Sequence, residues 1–445
     1  MLRRLSVRHL FVLVPVLGVV VAAARPITDN SFLWHIRTGT LQLDAGEVLR
    51  ADPFSFTALG EGWRTQSWIA DLTYGLLERW TGNLGWVWPL VAITMVGTVA
   101  LVGIAVYRET RTPLATAAIL FVVVWLLLRT LVPRPVVFSH LLLAALVVTL
   151  AHPRLRWVIP LLMWVWAGLH GSFIIGLGLL ALEAARTGRR QLWGTLGLSA
   201  VTVSLTAHGL ALWGVLAGFA ENRDALGLIQ EWGRPDFLDP GAAPYLLIVA
   251  AVAWAAAGRR FEWRDFVVIV PFLLFGFTSY RALIPATIVL APWVARSLPA
   301  VVPARRAESG LINAVVAATL IALAVGLGWA RAATDPDPEQ FPVAAATALA
   351  DGPVFHDVAT GGYLIYRAGP TRPVFIDDRA ELYGEDLLRQ AIDAEAGEDG
   401  WRDIFDRYGI NQALLTADEG GLQPVLEAAG WSETYRDAHF VVLGR

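Results

Sequence analysis

Apolar runs close to membrane length fill most of the sequence between residues 9 and 330. A helix needs about 20 apolar residues to cross the roughly 30 Å of hydrocarbon in a bilayer. Hydrophobic residues make up 56% of the chain and charged residues only 16%. Soluble domains contain fewer hydrophobic and more charged residues. The sequence therefore predicts an α-helical polytopic membrane protein with about eleven transmembrane helices. The predicted spans lie at roughly 9–24, 84–106, 113–132, 136–151, 155–170, 172–185, 192–207, 244–257, 265–280, 282–298 and 311–330.

The distribution of arginine predicts the orientation, because basic residues favour cytoplasmic loops. The chain has no lysine, so all 35 basic residues are arginine. With the N-terminus in the cytoplasm, 16 arginines of residues 1–334 fall on the cytoplasmic side and 11 on the other side. An odd number of spans then places the C-terminus outside the inner (plasma) membrane. The basic start and Ala22-Ala23-Ala24 also fit a cleavable signal peptide. We expect this segment to be retained as the first helix, and cleavage would leave the topology unchanged.

The charge changes sign near residue 335. Residues 1–334 carry 27 arginines against 17 acids, whereas residues 335–445 carry 8 against 21. Short β-type runs and helical patterns alternate in this second part, as in small α/β domains. The predicted strands lie at 354–356, 374–376, 413–415 and 440–443, and the predicted helices at about 339–350, 381–395, 400–408 and 420–429. We predict a transmembrane domain over 1–334 with an outer loop at 25–83, followed by an acidic, soluble, extracytoplasmic α/β domain over 335–445.

Three connections have a pattern of their own. The loop at 25–83 is too long for a simple connector, and its apolar spacing predicts helices over 30–43 and 66–80 that lie in the membrane interface. Arginines flank the runs 155–170 and 172–185 at both ends, which predicts a helical hairpin with a recessed turn. The segment 208–243 has a loop composition near Glu231, and we expect it to fold over the outer mouth.

Asp29 lies just beyond the first apolar run, where water meets lipid. A carboxylate in this position can act as a general base toward a sugar hydroxyl. The alternative is a helix N-cap, because Asp before a helix accepts backbone N–H bonds. The sequence alone leaves both interpretations open.

Several basic residues fall on the outer side, against the cytoplasmic bias of arginine. Arg134 lies between two prolines in a short outer turn, and Arg281 lies in an equally short connection. Guanidinium groups at the membrane boundary bind phosphate bidentately, and the alternative is snorkelling toward ordinary lipid headgroups. His170 occupies the predicted hairpin turn. An ionisable group in such a place indicates a functional role, and the alternative is a structural hydrogen bond to a backbone carbonyl. Arg129 and His140 map to the same face.

The sequence also narrows the possible chemistry. Without cysteine, the chain forms no disulfide and has no thiol. No acid lies between Glu109 and Glu183, which argues against ion-coupled transport. A P-loop, a zinc-type histidine cluster and a dinucleotide fingerprint are all missing. In the tail, Asp377, Asp378 and Arg379 follow an apolar run, where α/β domains bind ligands; the alternative is a solvated turn with an Asp–Arg pair. Gly361-Gly362 predicts a turn.

Seven segments carry a resemblance to known proteins, and together they span nearly the whole chain. The segments are Asp29–Gly39, Asp52–Thr57, Trp63–Trp68, Arg134–His140, Trp166–Gly176, Gly361–Tyr366 and Val374–Tyr383. They resemble bacterial multi-pass proteins placed near the C-type (GT-C) membrane glycosyltransferases, which use polyprenyl-phosphate sugars. In that superfamily an Asp of the first outer loop is the catalytic base, and Asp29 matches it. This chain has a single Asp there, where a pair is common, and Gln66-Ser67 where an acid often precedes the Trp.

The resemblance and the residues together imply a hexosyl- or pentosyltransferase that works on the outer face of the membrane. Asp29 is the expected catalytic base, and Arg134, His170 and Arg281 are expected to bind the donor phosphate. The expected accessory residues are His35, Asp52, His140 and Glu231. The expected partners are a polyprenyl-phosphate sugar, membrane lipid and a glycan, lipid or protein acceptor, but not nucleic acid. No metal ligand is predicted, and dependence on a divalent cation stays open. The alternative is a non-enzymatic transporter of lipid-linked glycans or an envelope-assembly scaffold.

Overall fold

The computed structural model describes residues 6–214, 230–298, 308–417 and 420–445. The α-helices are α1 Val7–Ala22, α2 Asn30–Ala45, α3 Trp68–Thr81, α4 Val87–Thr110, α5 Pro113–Leu127, α6 Val136–Leu150, α7 Ile159–Leu169, α8 Phe173–Thr187, α9 Arg190–Val203, α10 Tyr245–Ala257, α11 Phe266–Phe275, α12 Tyr280–Ser297, α13 Gly310–Arg331, α14 Val358–Ala368, α15 Ala380–Glu395, α16 Trp401–Tyr408 and α17 Leu422–Ala428. The strands are β1 Val354–Phe355, β2 Gln412–Thr416, β3 Ser432–Arg436 and β4 Phe440–Gly444.

Contacts divide the described chain into two compact units. The helical unit contains the described residues of 1–25, 87–210 and 230–333. The mixed unit contains those of 26–86, 211–229 and 334–445. The segment predicted as an outer loop of the transmembrane domain thus folds with the C-terminal segment. That residues 1–334 form a transmembrane domain and residues 335–445 lie outside the membrane stays a prediction.

Helix α12 is the centre of the helical unit. Residues 282–291 of this helix are all buried, and α4, α5, α6, α10 and α11 pack against it. A helix that is covered on every side must be apolar all round, which explains the run of alanine, leucine, isoleucine and valine here. The N-terminal turn of α12, with Tyr280 and Arg281, therefore lies in the middle of one end of the unit.

Helix α13 has the opposite environment. It packs on α1, yet Leu311, Leu323 and Trp329 are 67%, 64% and 73% exposed. An apolar face of this size is unusual against water and is suited to lipid. Within the described residues, Leu84–Thr110, Pro113–Thr130 and Gly310–Arg331 are long and apolar enough to cross a membrane. The protein is therefore a multi-pass membrane protein, while the count of about eleven spans stays a prediction.

The predicted hairpin over 155–185 is confirmed, with α7 and α8 as its arms. Its turn is at 170–172, and α8 folds back so that Gly176 faces α7. A Cβ added to Gly176 would lie 2.6 Å from the ring of Trp166 and 3.1 Å from Met163. Glycine at this position therefore permits the close packing of the two arms. Residues 215–229 of the segment 208–243 lie outside the described residues, and its predicted fold over the outer mouth stays a prediction.

The two helices predicted in the first loop are confirmed as α2 and α3. They cross closely, because a Cβ on Gly39 would lie only 1.8 Å from the carbonyl oxygen of Asp71, and Gly75 faces Gly39 across the same contact. Gly46 ends α2 with φ +69°, a left-handed conformation that favours glycine. Asp71 and Tyr74 of α3 are buried, whereas Trp80 near its end is 72% exposed.

A four-stranded sheet, in the order β1-β2-β4-β3, forms the core of the C-terminal segment. β1 is parallel to β2, and the other pairs are antiparallel. The strand predicted at 374–376 is wrong as a sheet strand, because Val374 instead pairs with Ser55 of the first loop. β3 was not predicted. The helix predicted at 339–350 is also wrong, since this proline-interrupted segment contains only a 3₁₀ turn at Ala345–Thr347.

The prediction of a turn at Gly361-Gly362 is wrong, because both glycines lie inside α14. A Cβ on Gly361 would lie 2.0 Å from the carbonyl oxygen of Ile376, and one on Gly362 would lie 2.2 Å from that of Asn30. The glycines thus let α14 approach two other segments at backbone distance. Helix α14 packs on α2, so these contacts hold the N-terminal turn of α2 against the C-terminal segment.

Candidate functional site

Asp29 is the N-cap of α2. Its Oδ1 accepts a hydrogen bond from the backbone N–H of Phe32 at 2.9 Å, and the residue is only 6% exposed. The capping geometry is the alternative that the sequence left open. A capping carboxylate can still act as a base, because it keeps its negative charge at the positive end of the helix. The role of Asp29 as a base stays a prediction.

A second carboxylate, that of Asp378, reaches the same helical turn from the C-terminal segment. It accepts hydrogen bonds from the hydroxyl of Ser31 and from Nε1 of Trp34, the latter at 2.8 Å. Ser31 and Trp34 are two and five residues after Asp29, so both acids lie at the N-terminal turn of α2. The sequence showed one acid in this motif where a pair is common. Asp378 lies 349 residues after Asp29 in the chain, so local spacing cannot reveal that it reaches this turn.

Asp377, the neighbour of Asp378, has a different task. Its oxygens accept hydrogen bonds from Nε and Nη2 of Arg379 at 2.8 and 2.6 Å, and from the hydroxyl of Tyr383 at 2.6 Å. The side chains of Arg379 and Asp377 are fully buried. The predicted alternative of a solvated turn is therefore wrong about the solvent, although it named the correct ion pair. Buried charges need such partners because transfer from water is costly.

Asp52, a predicted accessory residue, completes this buried network. Its Oδ1 accepts from Nη1 of Arg379 at 2.7 Å, and its Oδ2 accepts from the N–H of Ser55 at 3.0 Å. Burial alone would lower the pKa of the Arg379 guanidinium, but Asp377, Tyr383 and Asp52 together raise it well above its usual value. Arg379 therefore stays charged. It also lies over the ring of Trp63, 4.6 Å from the centroid.

His35 is buried beside the network, on α2. Its Nδ1 lies 2.5 Å from Oδ1 of Asp71, and the other oxygen of Asp71 accepts from the hydroxyl of Thr65 at 2.6 Å. The imidazole stacks on Trp34, with 3.6 Å between the ring centroids. These contacts fix the imidazole between α2 and α3. Its predicted accessory role stays a prediction.

In the helical unit, Glu231 brings Arg134 and Arg281 together. Its Oε2 accepts hydrogen bonds from Nε and Nη2 of Arg281 at 2.9 and 2.7 Å, and Nη1 of Arg134 lies 3.2 Å from the same oxygen. Burial would raise the pKa of the Glu231 carboxyl, but the two guanidiniums more than offset this and leave its pKa below the usual value. Two of these three side chains are cations and one is an anion. We call these three residues the Arg–Glu–Arg cluster.

Aromatic rings border this cluster. The guanidinium of Arg281 lies 4.9 Å from the ring centroid of Trp232, and that of Arg129 lies 4.7 Å from the ring of Tyr280. Arg129 also forms an ion pair with Asp239. Tyr280 and Arg281 are the first two residues of α12, so the positive groups gather where this central helix begins. The side chains of Arg134 and Arg281 remain 22% and 38% exposed, which leaves them accessible.

His170 is connected to the start of α6 by a chain of hydrogen bonds. Its Nδ1 accepts from the backbone N–H of Ser172 at 3.1 Å and lies 2.9 Å from the hydroxyl of Ser172. Nε1 of Trp166 reaches Oγ of Ser139 at 3.0 Å and Oγ of Ser172 at 3.3 Å. Ser139 lies in the first turn of α6, five residues after Arg134. His170 and Arg134 are therefore at the same end of the helical unit.

His140 is the remaining predicted residue, and it is 2% exposed inside α6. Its Nδ1 has no hydrogen-bond partner among the described residues. Within the described ranges, no group of three or more His, Asp and Glu side chains is placed to hold a metal ion. The predicted residues thus form two sets: Asp29, His35 and Asp52 in the mixed unit, and Arg134, His140, His170, Glu231 and Arg281 in the helical unit.

The fold resembles that of a solved structure. The chain is similar to the crystal structure of ArnT from Cupriavidus metallidurans in the apo state, with a TM-score of 0.52. The similarity covers 98% of this chain and 97% of ArnT, at 14% sequence identity. ArnT is a GT-C glycosyltransferase, and the predicted resemblance is confirmed for the fold alone. Comparisons with protein-family profiles and with curated sequences find no match.

Proposed function

We propose that this protein is a membrane glycosyltransferase that transfers a hexosyl or pentosyl group from a polyprenyl-phosphate donor to an envelope glycan, lipid or protein. The observation that carries the proposal is the Arg–Glu–Arg cluster. It places two accessible guanidiniums around one carboxylate at the start of the central helix of a GT-C-like fold. A phosphodiester that enters the cluster would compete with Glu231 for the guanidiniums and gain bidentate hydrogen bonds.

We propose for the reaction the residue roles that the sequence predicts. Asp29 takes the proton of an acceptor hydroxyl, and the oxygen attacks the anomeric carbon from the face opposite the phosphate. The bond between that carbon and the phosphate oxygen breaks with inversion, and polyprenyl phosphate leaves with an additional negative charge. Arg134 and Arg281 stabilise this charge as it develops. We propose His170 as a further donor to the phosphate, because its Nδ1 accepts a hydrogen bond and its proton therefore lies on Nε2.

The proposal includes a membrane side. A site outside the inner membrane has no access to cytosolic nucleotide sugars, so its donor must arrive as a lipid-linked sugar. A cytoplasmic N-terminus and an extracytoplasmic C-terminal domain, as the arginine distribution predicts, place the reaction there. The partners we propose are thus the polyprenyl-phosphate sugar, the surrounding lipid and the acceptor.

The proposal is tested with purified protein in lipid nanodiscs and a panel of polyprenyl-phosphate sugars. Release of polyprenyl phosphate is measured for the wild type, Arg134→Gln and Arg281→Gln. Removal of one preorganised donor to a developing charge lowers kcat by about 10²–10³-fold in other enzymes, and we expect a loss of this order. A chain that turns over no donor in the panel contradicts the proposal, and saturable donor binding without turnover supports the transporter or scaffold alternative.

Helix α12 offers a matched control at its other end. Arg296 forms an ion pair with Glu109 at 3.0 Å and lies 4.5 Å from the ring of Trp293. Its side chain is 40% exposed, close to the 38% of Arg281. Arg296→Gln therefore removes the same type of pair and ring contact from the same helix. We expect it to retain wild-type turnover, and an equal loss in both variants would contradict the role of Arg281.

A further inference from the structure

A polar pocket lies where α2, α3 and α14 meet in the mixed unit. Its cavity volume is about 240 Å³, and it is lined by Ile36, Arg37, Thr40, Glu78, Tyr366 and Arg367. Helix α2 supplies three of these residues, α3 supplies Glu78, and α14 supplies the other two. The volume is below the roughly 300–1,000 Å³ of sites for drug-sized molecules. The pocket therefore suits one small group, such as a single substituted sugar.

The carboxylate of Glu78 is already held by neutral donors. The hydroxyl of Tyr366 donates to its Oε1 at 2.8 Å, and Nε1 of Trp86 donates to its Oε2 at 3.2 Å. Burial and the charge of Glu78 raise the pKa of the Tyr366 hydroxyl, which therefore stays protonated. Glu78 thus accepts hydrogen bonds from neutral donors, and no arginine of the described residues forms an ion pair with it.

The two guanidiniums of the pocket differ from their neighbours in this unit. Arg79 is paired with Asp44 at 2.6 Å, and Arg372 with Asp351 at 3.2 Å. Arg37 donates through Nε to the carbonyl of Gly369, and no carboxylate of the described residues forms an ion pair with Arg37 or Arg367. Two like charges that share a small pocket repel each other. An anion between them would remove this repulsion.

We propose that this pocket binds the anionic group of an acidic sugar, a carboxylate or a phosphate, between Arg37 and Arg367. Guanidiniums bind both groups bidentately. The hydroxyl oxygens of Thr40 and Tyr366 are already donating, to the carbonyl of Arg37 and to Glu78, so they can accept hydrogen bonds from sugar hydroxyls. The residues that line the pocket contribute two guanidiniums and one carboxylate. The excess of guanidinium groups favours an anionic ligand.

This site is distinct from the Arg–Glu–Arg cluster, which belongs to the helical unit. If the proposed function holds, the pocket would hold an acidic residue of the acceptor glycan. Binding in the pocket does not require transfer, however. A direct binding measurement without any donor therefore tests the pocket even if the chain transfers no sugar.

Binding of four probes to the full chain in nanodiscs is measured by calorimetric titration. Sodium glucuronate and glucose 6-phosphate carry the two anionic groups, inorganic phosphate lacks the sugar, and glucose lacks the charge. We expect saturable binding of glucuronate or glucose 6-phosphate, at least tenfold stronger than that of glucose or inorganic phosphate. The sugar acid that binds identifies the group as carboxylate or phosphate. Equal binding of inorganic phosphate and the sugar acids, or no saturable binding of any anion, would overturn the proposal.

Substitutions place the binding in the pocket. We expect Arg367→Gln to weaken binding of the sugar acid at least tenfold, because Arg367 lines the pocket. The fold should tolerate this change, since the side chain is exposed and forms no hydrogen bond with another described residue. Arg79→Gln on α3 is the control, since it removes an exposed, paired arginine outside the pocket. Arg37→Gln also loses the bond to Gly369, so its thermal unfolding is measured alongside. Equal affinities of Arg367→Gln and Arg79→Gln would overturn the assignment.

Discussion

Nη1 of Arg379 lies 2.7 Å from Oδ1 of Asp52, and both side chains are fully buried although they are 327 positions apart in the sequence. Asp52 belongs to the segment between α2 and α3, and Arg379 belongs to the C-terminal segment. The pair therefore connects the two sequence segments that form the mixed unit. Because both groups are buried away from water, each needs the opposite charge of the other to offset the cost of desolvation.

Arg379→Leu should destabilise the protein strongly. The substitution leaves Asp52 and Asp377 buried without a cation, and loss of one partner of a buried pair costs about 3–5 kcal/mol. Unfolding can be followed by tryptophan fluorescence, since Trp63 lies 4.6 Å from this guanidinium. Arg389→Leu is the control, because its exposed pair with Glu385 should change the free energy of unfolding by no more than about 1 kcal/mol. Similar losses in the two variants would contradict the network's role.

Gly39→Ala should disrupt the packing of α2 on α3. The new methyl group would lie 1.8 Å from a backbone oxygen of Asp71, which cannot move aside as a side chain can. Overpacking of this kind typically costs about 1–3 kcal/mol, and we expect a lower midpoint in chemical denaturation. Gly62→Ala, where nothing lies within 4 Å, should leave the midpoint unchanged. A neutral Gly39→Ala would show that the two helices separate at little cost.

The sequence predicted the elements whose cause is local. Regular apolar spacing gave α2 and α3, and arginines at both ends of two apolar runs gave the α7–α8 hairpin. Errors occurred where a distant segment decides the structure. Residues 374–376 have the composition of a sheet strand, but the backbone hydrogen bonds of Val374 go to the carbonyl of Phe54 and the N–H of Phe56. Gly361 and Gly362 suggest a turn locally, whereas their function is close packing of α14 against other segments.

The same limit applies to the candidate site. Arg134 and Arg281 were predicted from their position against the charge bias, because that bias is visible in each connection. Their pairing through Glu231 requires the fold. Asp378 was not assigned a role at Asp29, since its contacts with Ser31 and Trp34 span more than 340 positions. A signal was present nonetheless: Val374–Tyr383 and Asp29–Gly39 are two of the motifs that carry the family resemblance.

Asp29→Asn should distinguish the helix-capping role of Asp29 from the role of its negative charge in catalysis. Asparagine is as good an N-cap as aspartate, so the thermal midpoint should stay that of the wild type while donor turnover falls at least about 100-fold, the lower part of the range for a general base. Asp29→Ala should lose turnover and also about 1 kcal/mol of stability. Rates of donor cleavage and thermal unfolding are measured for both variants. Full turnover in Asp29→Asn would exclude Asp29 as the base.

Asp378→Ala should lower turnover, because Asp378 accepts hydrogen bonds from Ser31 and Trp34 at the N-terminal turn that begins with Asp29. We expect a fall in kcat of about tenfold, which corresponds to roughly 1.4 kcal/mol, at an unchanged KM for the donor. Asp378→Asn can still accept from Nε1 of Trp34 and should recover part of the rate. A change in donor KM alone would contradict this positioning role.

Glu231→Gln should strengthen donor binding at neutral pH, because it frees the guanidiniums of Arg134 and Arg281 from their carboxylate. The two cations hold the pKa of Glu231 below the usual value, which is about 4.3 for glutamate. The ion pairs are therefore complete above that pH and are lost only as the pH falls through the lower pKa of the folded protein. Calorimetric titration with a polyprenyl-phosphate sugar, whose phosphodiester keeps one charge throughout, measures the affinity. The wild type and Glu231→Gln should differ from pH 5 to 7 and converge only in more acidic buffer. Convergence above pH 5, or weaker binding by the variant at pH 7, would contradict competition between Glu231 and the donor phosphate.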